Sequence, residues 1–180
     1  MRFAYRHVVE PLVTRDASGS TLASTLPAQR HERALVLHHG RVLREQIAAW
    51  GQADFREPAA PEAIQTAEAR LGAPLPNELR ELLSETDGVV GEHGLGLVWA
   101  ADRIGEDNAH FRSNPNFSDL YLPFEGLVFF SDAGNGDQFA ISLRGAQDVF
   151  MWDHEDDSRI WVASTILDFL RRRMTGELTI

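Results

Sequence analysis

The stretch Leu127-Val128-Phe129-Phe130-Ser131-Asp132-Ala133-Gly134-Asn135-Gly136-Asp137-Gln138-Phe139-Ala140-Ile141-Ser142-Leu143 carries the strongest local signal in the chain. Leu127 to Ser131 is an apolar run with Phe129 and Phe130 inside it, which suits extended backbone. The six residues from Asp132 to Asp137 read as a turn, because Asn-Gly is the strongest short hairpin signal. Gln138 to Leu143 is the return strand, with Phe139, Ile141 and Leu143 on alternate positions. Asp148 to Trp152 supplies a third strand, and the three form an antiparallel meander. Phe129, Phe139, Ile141 and Phe150 are the expected core of this sheet.

Helices are expected on either side of the meander. Pro61 suits a first helical position and Glu62 its first turn. Ile64, Ala67, Glu68 and Leu71 follow at helical spacing, and Gly72 supplies a left-handed cap. Pro74 and Pro76 frame a corner. A second helix is expected from Asn77 to Thr86, with Leu79, Leu82 and Leu83 inward and Gly88 closing it. Such short helices need a sheet to pack on. Leu95, Leu97 and Trp99 alternate as a strand, Ala101 to Arg112 is a short helix, and Ser113 to Pro123 is a loop. A last helix is expected from Thr165, with Asp168 as its capping-box partner and Ile166, Leu167, Phe169 and Leu170 inward. Arg171, Arg172 and Arg173 complement its dipole.

The 180 residues are 43% hydrophobic and 24% charged, which suits one domain of residues 58–180 plus an N-terminal extension of residues 1–57. In the extension, Met1 to Val13 is a possible strand. Asp16 to Gln29 is a loop or mobile tail. His31 to Trp50 is an amphipathic helix with Val36, Leu43, Ile47 and Trp50 on one face; Ala34 to Leu37 alternatively form a short strand ahead of a helix from Arg41. The absence of cysteine excludes disulfides, thiolate metal sites and cysteine nucleophiles. No apolar run approaches the roughly 20 residues needed to cross a bilayer, and the N-terminus lacks the blocks of a signal peptide, so the expected compartment is the cytoplasm.

Charge is unevenly placed. The formal net charge is −10, and every one of the 17 basic residues is Arg. Residues 1–57 hold 8 Arg against 6 acids, and residues 58–180 hold 9 Arg against 21 acids, a balance of −12. That region repels phosphate backbones and anionic lipid and steers a basic protein toward itself. Neither a nucleic-acid nor a membrane partner is expected.

The densest charge lies in Asp153-His154-Glu155-Asp156-Asp157, between Trp152 and Trp161. A calcium loop would use Asp153, Glu155 and Asp157, but Ser158 and Ser164 stand where the loop needs Gly and a bidentate Glu. A zinc-hydrolase helix needs His-Glu-x-x-His, and His154-Glu155 is followed by Asp157. A solvated strand-to-helix turn accounts for the acids alone. The flanking tryptophans favour a polar patch, with His154 organised by a carboxylate or backbone group. Gly134-Asn135-Gly136 lacks the Lys-Ser/Thr of a phosphate-binding loop and sits between antiparallel strands, so no cofactor is expected. Asp132 and Asp137 are alternatively an acid/base pair. His38 and His39 read as surface residues.

Together these motifs resemble the SUKH superfamily, the Smi/Knr-like domain. Pro61-Glu62-x-Ile64-x-x-x-Glu68-x-x-Leu71-Gly72-x-x-Leu75-Pro76-x-x-Leu79-x-x-Leu82-Leu83, followed by Asp87-Gly88, looks like its opening. Phe129-Phe130-x-Asp132-x-Gly134-Asn135-Gly136-Asp137-x-Phe139 looks like its central hairpin. Val149-x-x-Trp152-Asp153-His154-Glu155, Val162-Ala163-Ser164 and Asp168-Phe169-Leu170 look like its closing segment. The likeness covers residues 58–175. It implies an α+β fold, with a twisted, mainly antiparallel sheet preceded by a helical hairpin and covered by a C-terminal helix. It also implies a non-catalytic protein-binding role. Bacterial members are often immunity proteins that neutralise toxins, many of them nucleases, and fungal members are regulatory scaffolds. On this reading Asp153, His154, Glu155, Asp156, Asp157, Asp132 and Asp137 meet a basic toxin. The alternatives are a regulatory module with an endogenous partner and a metal-dependent hydrolase built on the His154 cluster.

Overall fold

The computed structural model describes residues 42–179. The expectations for Met1 to Val13, for Asp16 to Gln29, for the start of the His31 helix, and for His38 and His39 lie outside the described residues. In chain order the elements are α1 (Val42–Ala48), β1 (Ala53–Phe55), α2 (Pro61–Leu71), α3 (Asn77–Glu85), β2 (Val89–Gly91), β3 (Gly96–Val98), α4 (Ala101–Ser113), α5 (Pro115–Ser118), β4 (Leu127–Asp132), β5 (Gln138–Ser142), β6 (Val149–Trp152), β7 (Arg159–Ala163) and α6 (Ile166–Met174). The architecture is α+β. The strands form two antiparallel sheets, β1-β2-β3 and β4-β5-β6-β7.

Local chemistry sets most boundaries. Pro61 opens α2 and Gly72, at φ 67°, closes it in the left-handed conformation. In α3 the buried Leu79, Leu82 and Leu83 lie on one stripe. Thr165 Oγ1 accepts from the Asp168 N–H at 3.0 Å and caps α6, while the Asp168 carboxylate turns forward to Arg171 and Arg172. The expected capping box is therefore only half formed.

The four-stranded sheet is covered on both faces. Phe130 and Phe139 meet Phe169 of α6 with ring centroids 5.3 and 4.6 Å apart. On the other face Phe129 meets Phe111 of α4 and Phe124, each at 5.2 Å, and Trp152 at 5.7 Å. Helix α2 packs against α4, behind that aromatic layer. Leu71, Leu79, Leu82, Phe169 and Leu170 join the same core.

The two sheets are linked at a bulge. Phe129 pairs with Ala140 and Ser131 with Phe139, which leaves Phe130 as the extra residue of β4. Its carbonyl accepts the Trp99 N–H at 2.8 Å, and Ser131 Oγ donates to the Gly96 carbonyl at 3.0 Å. Strand β1 lies before the expected boundary at residue 58, and it pairs with β2.

Several expectations are corrected. Helix α3 stops at Glu85, because Thr86 is extended and its side chain bonds the Arg56 N–H and the Gly88 carbonyl. The loop from Ser113 to Pro123 contains α5, capped by Asn114, whose side chain accepts from the Asn116 N–H. The acidic turn after Trp152 leads into a strand, β7, and not into a helix. Phe150 is half-buried, because it pairs with the exposed Trp161 on β7. The Asn-Gly turn spans residues 133–137, with Gly134 and Gly136 at φ 91° and 109°. Asn135 keeps a negative φ, so this is not the two-residue turn in which both central residues take positive φ.

Candidate functional site

Two turns at one end of the four-stranded sheet meet, because β5 begins where β6 ends: Gln138 pairs with Trp152. This brings the β4–β5 turn, ending in Asp137, against the β6–β7 turn, Asp153 to Ser158. Asp137 is buried, at 6% exposure. Its Oδ1 accepts from His154 Nδ1 at 2.8 Å and from the His154 backbone N–H at 3.2 Å. Its Oδ2 accepts from Asn135 Nδ2 at 2.8 Å. Gly136 makes this fit possible. A Cβ there would stand 2.8 Å from His154 Cε1, and its φ of 109° is one that side chains rarely adopt. Tyr121 Oη donates to the His154 carbonyl at 3.0 Å and fixes the same residue from the other side.

The second half of the turn is tied down by Asp157. Its Oδ1 accepts from Trp152 Nε1 at 2.8 Å and its Oδ2 from the Leu122 N–H at 2.7 Å. Arg159 stands 3.8 Å from that carboxylate and donates to the Leu122 carbonyl at 2.8 Å. Asp157 adopts φ 61°, a left-handed conformation that Asp tolerates better than most side chains. Asp153 accepts from the Glu155 N–H and Asp156 from the Ser158 N–H, each at 2.8 Å, so both act as local turn formers. Glu155 and Asp156 remain exposed.

The structure thus brings together Asp137, Asp153, His154, Glu155, Asp156 and Asp157. It places Asp132 elsewhere, with its Oδ2 accepting from Trp99 Nε1 at 3.0 Å and Arg103 Nη2 at 3.3 Å. Asp132 and Asp137 serve separate networks and do not form an acid/base pair. Ligand atoms of Asp137, Asp153 and His154 lie within 4.8 Å of one another, but Asp137 and His154 already satisfy each other. Among the described residues no hydroxyl is bonded to the remaining ring nitrogen of His154. Tyr121 and Leu122 belong to the site and were not expected there, since nothing local in the sequence ties the Ser113 to Pro123 segment to this turn.

The pKa values of the pair are shifted in opposite directions. The hydrogen bond to Asp137 raises the pKa of His154 above its ordinary 6.5, opposed by desolvation and helped by the charges of Asp137, Glu155 and Asp153. Burial would raise that of Asp137, but hydrogen bonds from His154 and Asn135 outweigh it and hold the carboxyl below its ordinary 3.8. The His154 contribution to stability is complete below the unfolded pKa and is lost as pH rises through the folded one. The Asp137 contribution is present above its unfolded pKa and is lost as pH falls through its folded one. Both operate together between about pH 4 and 6.5. The stability difference between the parent and Asp137→Asn is therefore expected to be largest near pH 5–6 and to shrink by about pH 8. Melting curves of both proteins across that range check it, and a constant difference would remove the ion pair from the account.

A sequence profile of the SMI1 / KNR4 family (SUKH-1) matches residues 58–172. No curated protein was found to match the chain. Among the described residues no helix is long and apolar enough to cross a membrane.

Proposed function

Because the chain belongs to the SMI1 / KNR4 family (SUKH-1), we propose that it is a non-catalytic binding protein of the immunity type, whose acidic turn meets a cationic, nuclease-like toxin. The observation that carries this reading is the rigid presentation of exposed acids beside exposed apolar surface. Glu155 and Asp156 project from a turn held by the Asp137–His154 pair, Tyr121, Trp152 and Asp157. Leu122, 62% exposed, is fastened to the same turn by Asp157 and Arg159. An apolar contact beside fixed charge is how interfaces combine burial with steering. His154 organises the turn, which is why its ring is spent on Asp137. Asp157 faces inward as a structural acid, so Asp153, Glu155 and Asp156 are the charges left for a partner.

The partner for the test is sought among basic proteins encoded beside this gene. Rim charges act mainly on association. The double substitution Glu155→Lys/Asp156→Lys is expected to slow association about tenfold at low salt, with dissociation changed less than about twofold. The effect shrinks near physiological salt, where the Debye length falls to about 8 Å. Asp157→Asn is expected instead to lower the melting temperature and leave the association rate unchanged. Equal association rates for the parent and the double variant at both ionic strengths would sink the reading. Binding of an endogenous regulatory protein, with no effect of any toxin, would favour a regulatory module instead.

A further inference from the structure

Away from the acidic turn, a cleft of about 260 Å³ opens between the β2–β3 hairpin and the last turn of α6. Leu95, Leu97 and Met174 supply its apolar lining, Gln52, Glu92 and His93 its polar lining, and Arg173 reaches it from the helix. Arg173 is the anomaly of its helix. Its neighbours Arg171 and Arg172 are both paired with Asp168. Arg173 is partly buried over the ring of Phe139, 5.3 Å from the centroid, and its Nε is buried without a hydrogen-bond partner. Arg112 and Arg159 also have a buried, unpaired Nε, but their terminal nitrogens donate to backbone carbonyls. Among the described residues the Arg173 guanidinium makes no hydrogen bond at all. Asp132 acts on it only through space, because that carboxylate is committed to Trp99 and Arg103.

A partly buried guanidinium whose Nε is shielded from water and lacks an acceptor is costly, and such a group ordinarily has a partner. Guanidinium presents a planar fork that fits a carboxylate in a bidentate manner. The volume lies below the roughly 300–1,000 Å³ of drug-sized sites, so the occupant is small. Leu95, Leu97 and Met174 offer one apolar side for an apolar body to rest on. Glu92 and Asp132 both weigh against a multiply charged anion such as phosphate. From Arg173, without a hydrogen bond among the described residues, at the wall of a cleft with one apolar side, we infer that the protein binds a small monocarboxylate with an apolar tail, the carboxylate on Arg173 and the tail against Leu95, Leu97 and Met174. This site is independent of the partner-binding turn.

The probe is sodium hexanoate, titrated into the full ¹⁵N-labelled chain at constant ionic strength while the Arg173 Nε–H resonance is followed. A saturable shift is expected, and sodium phosphate is expected to bind at least about tenfold more weakly. Arg173→Met, which keeps an unbranched apolar stem, is expected to weaken hexanoate at least about tenfold, read from neighbouring backbone amides. Without ligand it is expected to melt no lower than the parent, since it removes an unpaired, partly buried cation; a purely structural arginine would instead destabilise on removal. Should Arg173→Met fail to fold, Leu95→Glu reads the same site, because it sets a like charge against the carboxylate. A shift no larger than that caused by sodium chloride, phosphate binding as well as hexanoate, or unchanged hexanoate affinity in either variant would overturn the assignment.

Discussion

Truncating Phe139 to Ala is expected to destabilise the protein by about 3–5 kcal/mol. Phe139 is fully buried in β5 and packs its ring on Phe169 of α6 at 4.6 Å. Its strand is interior, hydrogen-bonded to β4 on one side and β6 on the other, so the surroundings cannot collapse far into the space left behind. Interiors pack at crystal-like density, and a residual cavity adds its own cost to the lost transfer energy. For a chain of this size the loss corresponds to a melting temperature lower by roughly 10 °C. Urea unfolding of the parent and the variant measures it, with equal m-values as the sign that only stability has changed. A cost under about 1 kcal/mol would mean that Phe139 does not bridge the sheet and α6.

The hairpin that Phe139 opens was legible because its information is local. Asn-Gly between two apolar runs, Pro61 at a helix start and Gly72 at a helix end each act within a few residues, and the structure has all three. Long-range caps were not legible. Glu78 in α3 accepts from the N–H groups of Ile166 and Leu167 at the start of α6, 88 and 89 residues away. Asp87 does the same for Ala101 at the start of α4, at 2.8 Å, and Glu85 for Arg44 in α1, at 3.3 Å. Only the fold brings such a carboxylate to a helix N-terminus, so no sequence window contains it. The short strands β1, β2 and β7 escaped for a related reason. Arg159-Ile160-Trp161-Val162-Ala163 follows a turn so acidic that its charge masked the strand beyond it.

The site was half legible for the same physical reason. Clustering of Asp153 to Asp157 between two tryptophans marked the turn, and His154 needed a carboxylate to organise it. Which carboxylate was decided by the register of β5 on β6, which sets Asp137 beside His154. Nor does charge alone separate Asp157 from Asp156. Trp152 Nε1 and the Leu122 N–H both need acceptors, and the left-handed backbone at Asp157 aims its carboxylate at them. Sequence spacing counts both residues as surface acids, whereas hydrogen-bond demand turns one of them inward.

A single buried amide governs the bulge that joins the two sheets. Asn108 in α4 is almost fully buried. Its Oδ1 accepts the Phe129 N–H at 2.8 Å, and its Nδ2 donates to the Phe129 carbonyl at 2.7 Å. Phe129 stands next to the extra residue of β4, so the side chain takes the place of a neighbouring strand for that one peptide position. Leu at position 108 has nearly the same volume and a better helix propensity, so packing and helix formation alone forecast a neutral or stabilising change. The hydrogen-bond account forecasts the opposite. Asn108→Leu strands a buried N–H and a buried C=O at once, each costing about 1–3 kcal/mol, for an expected loss of about 2–6 kcal/mol. Asn108→Asp separates the two bonds further, because it keeps an acceptor for the Phe129 N–H and sets an anionic oxygen against the Phe129 carbonyl, and it is expected to be no less damaging near neutral pH. Urea unfolding gives the loss, and amide exchange at Phe129 and Trp99 locates it. If Asn108→Leu costs less than about 1 kcal/mol with both amides still protected, the bulge is held by the strand pairing and the Trp99 contact, and Asn108 is a bystander.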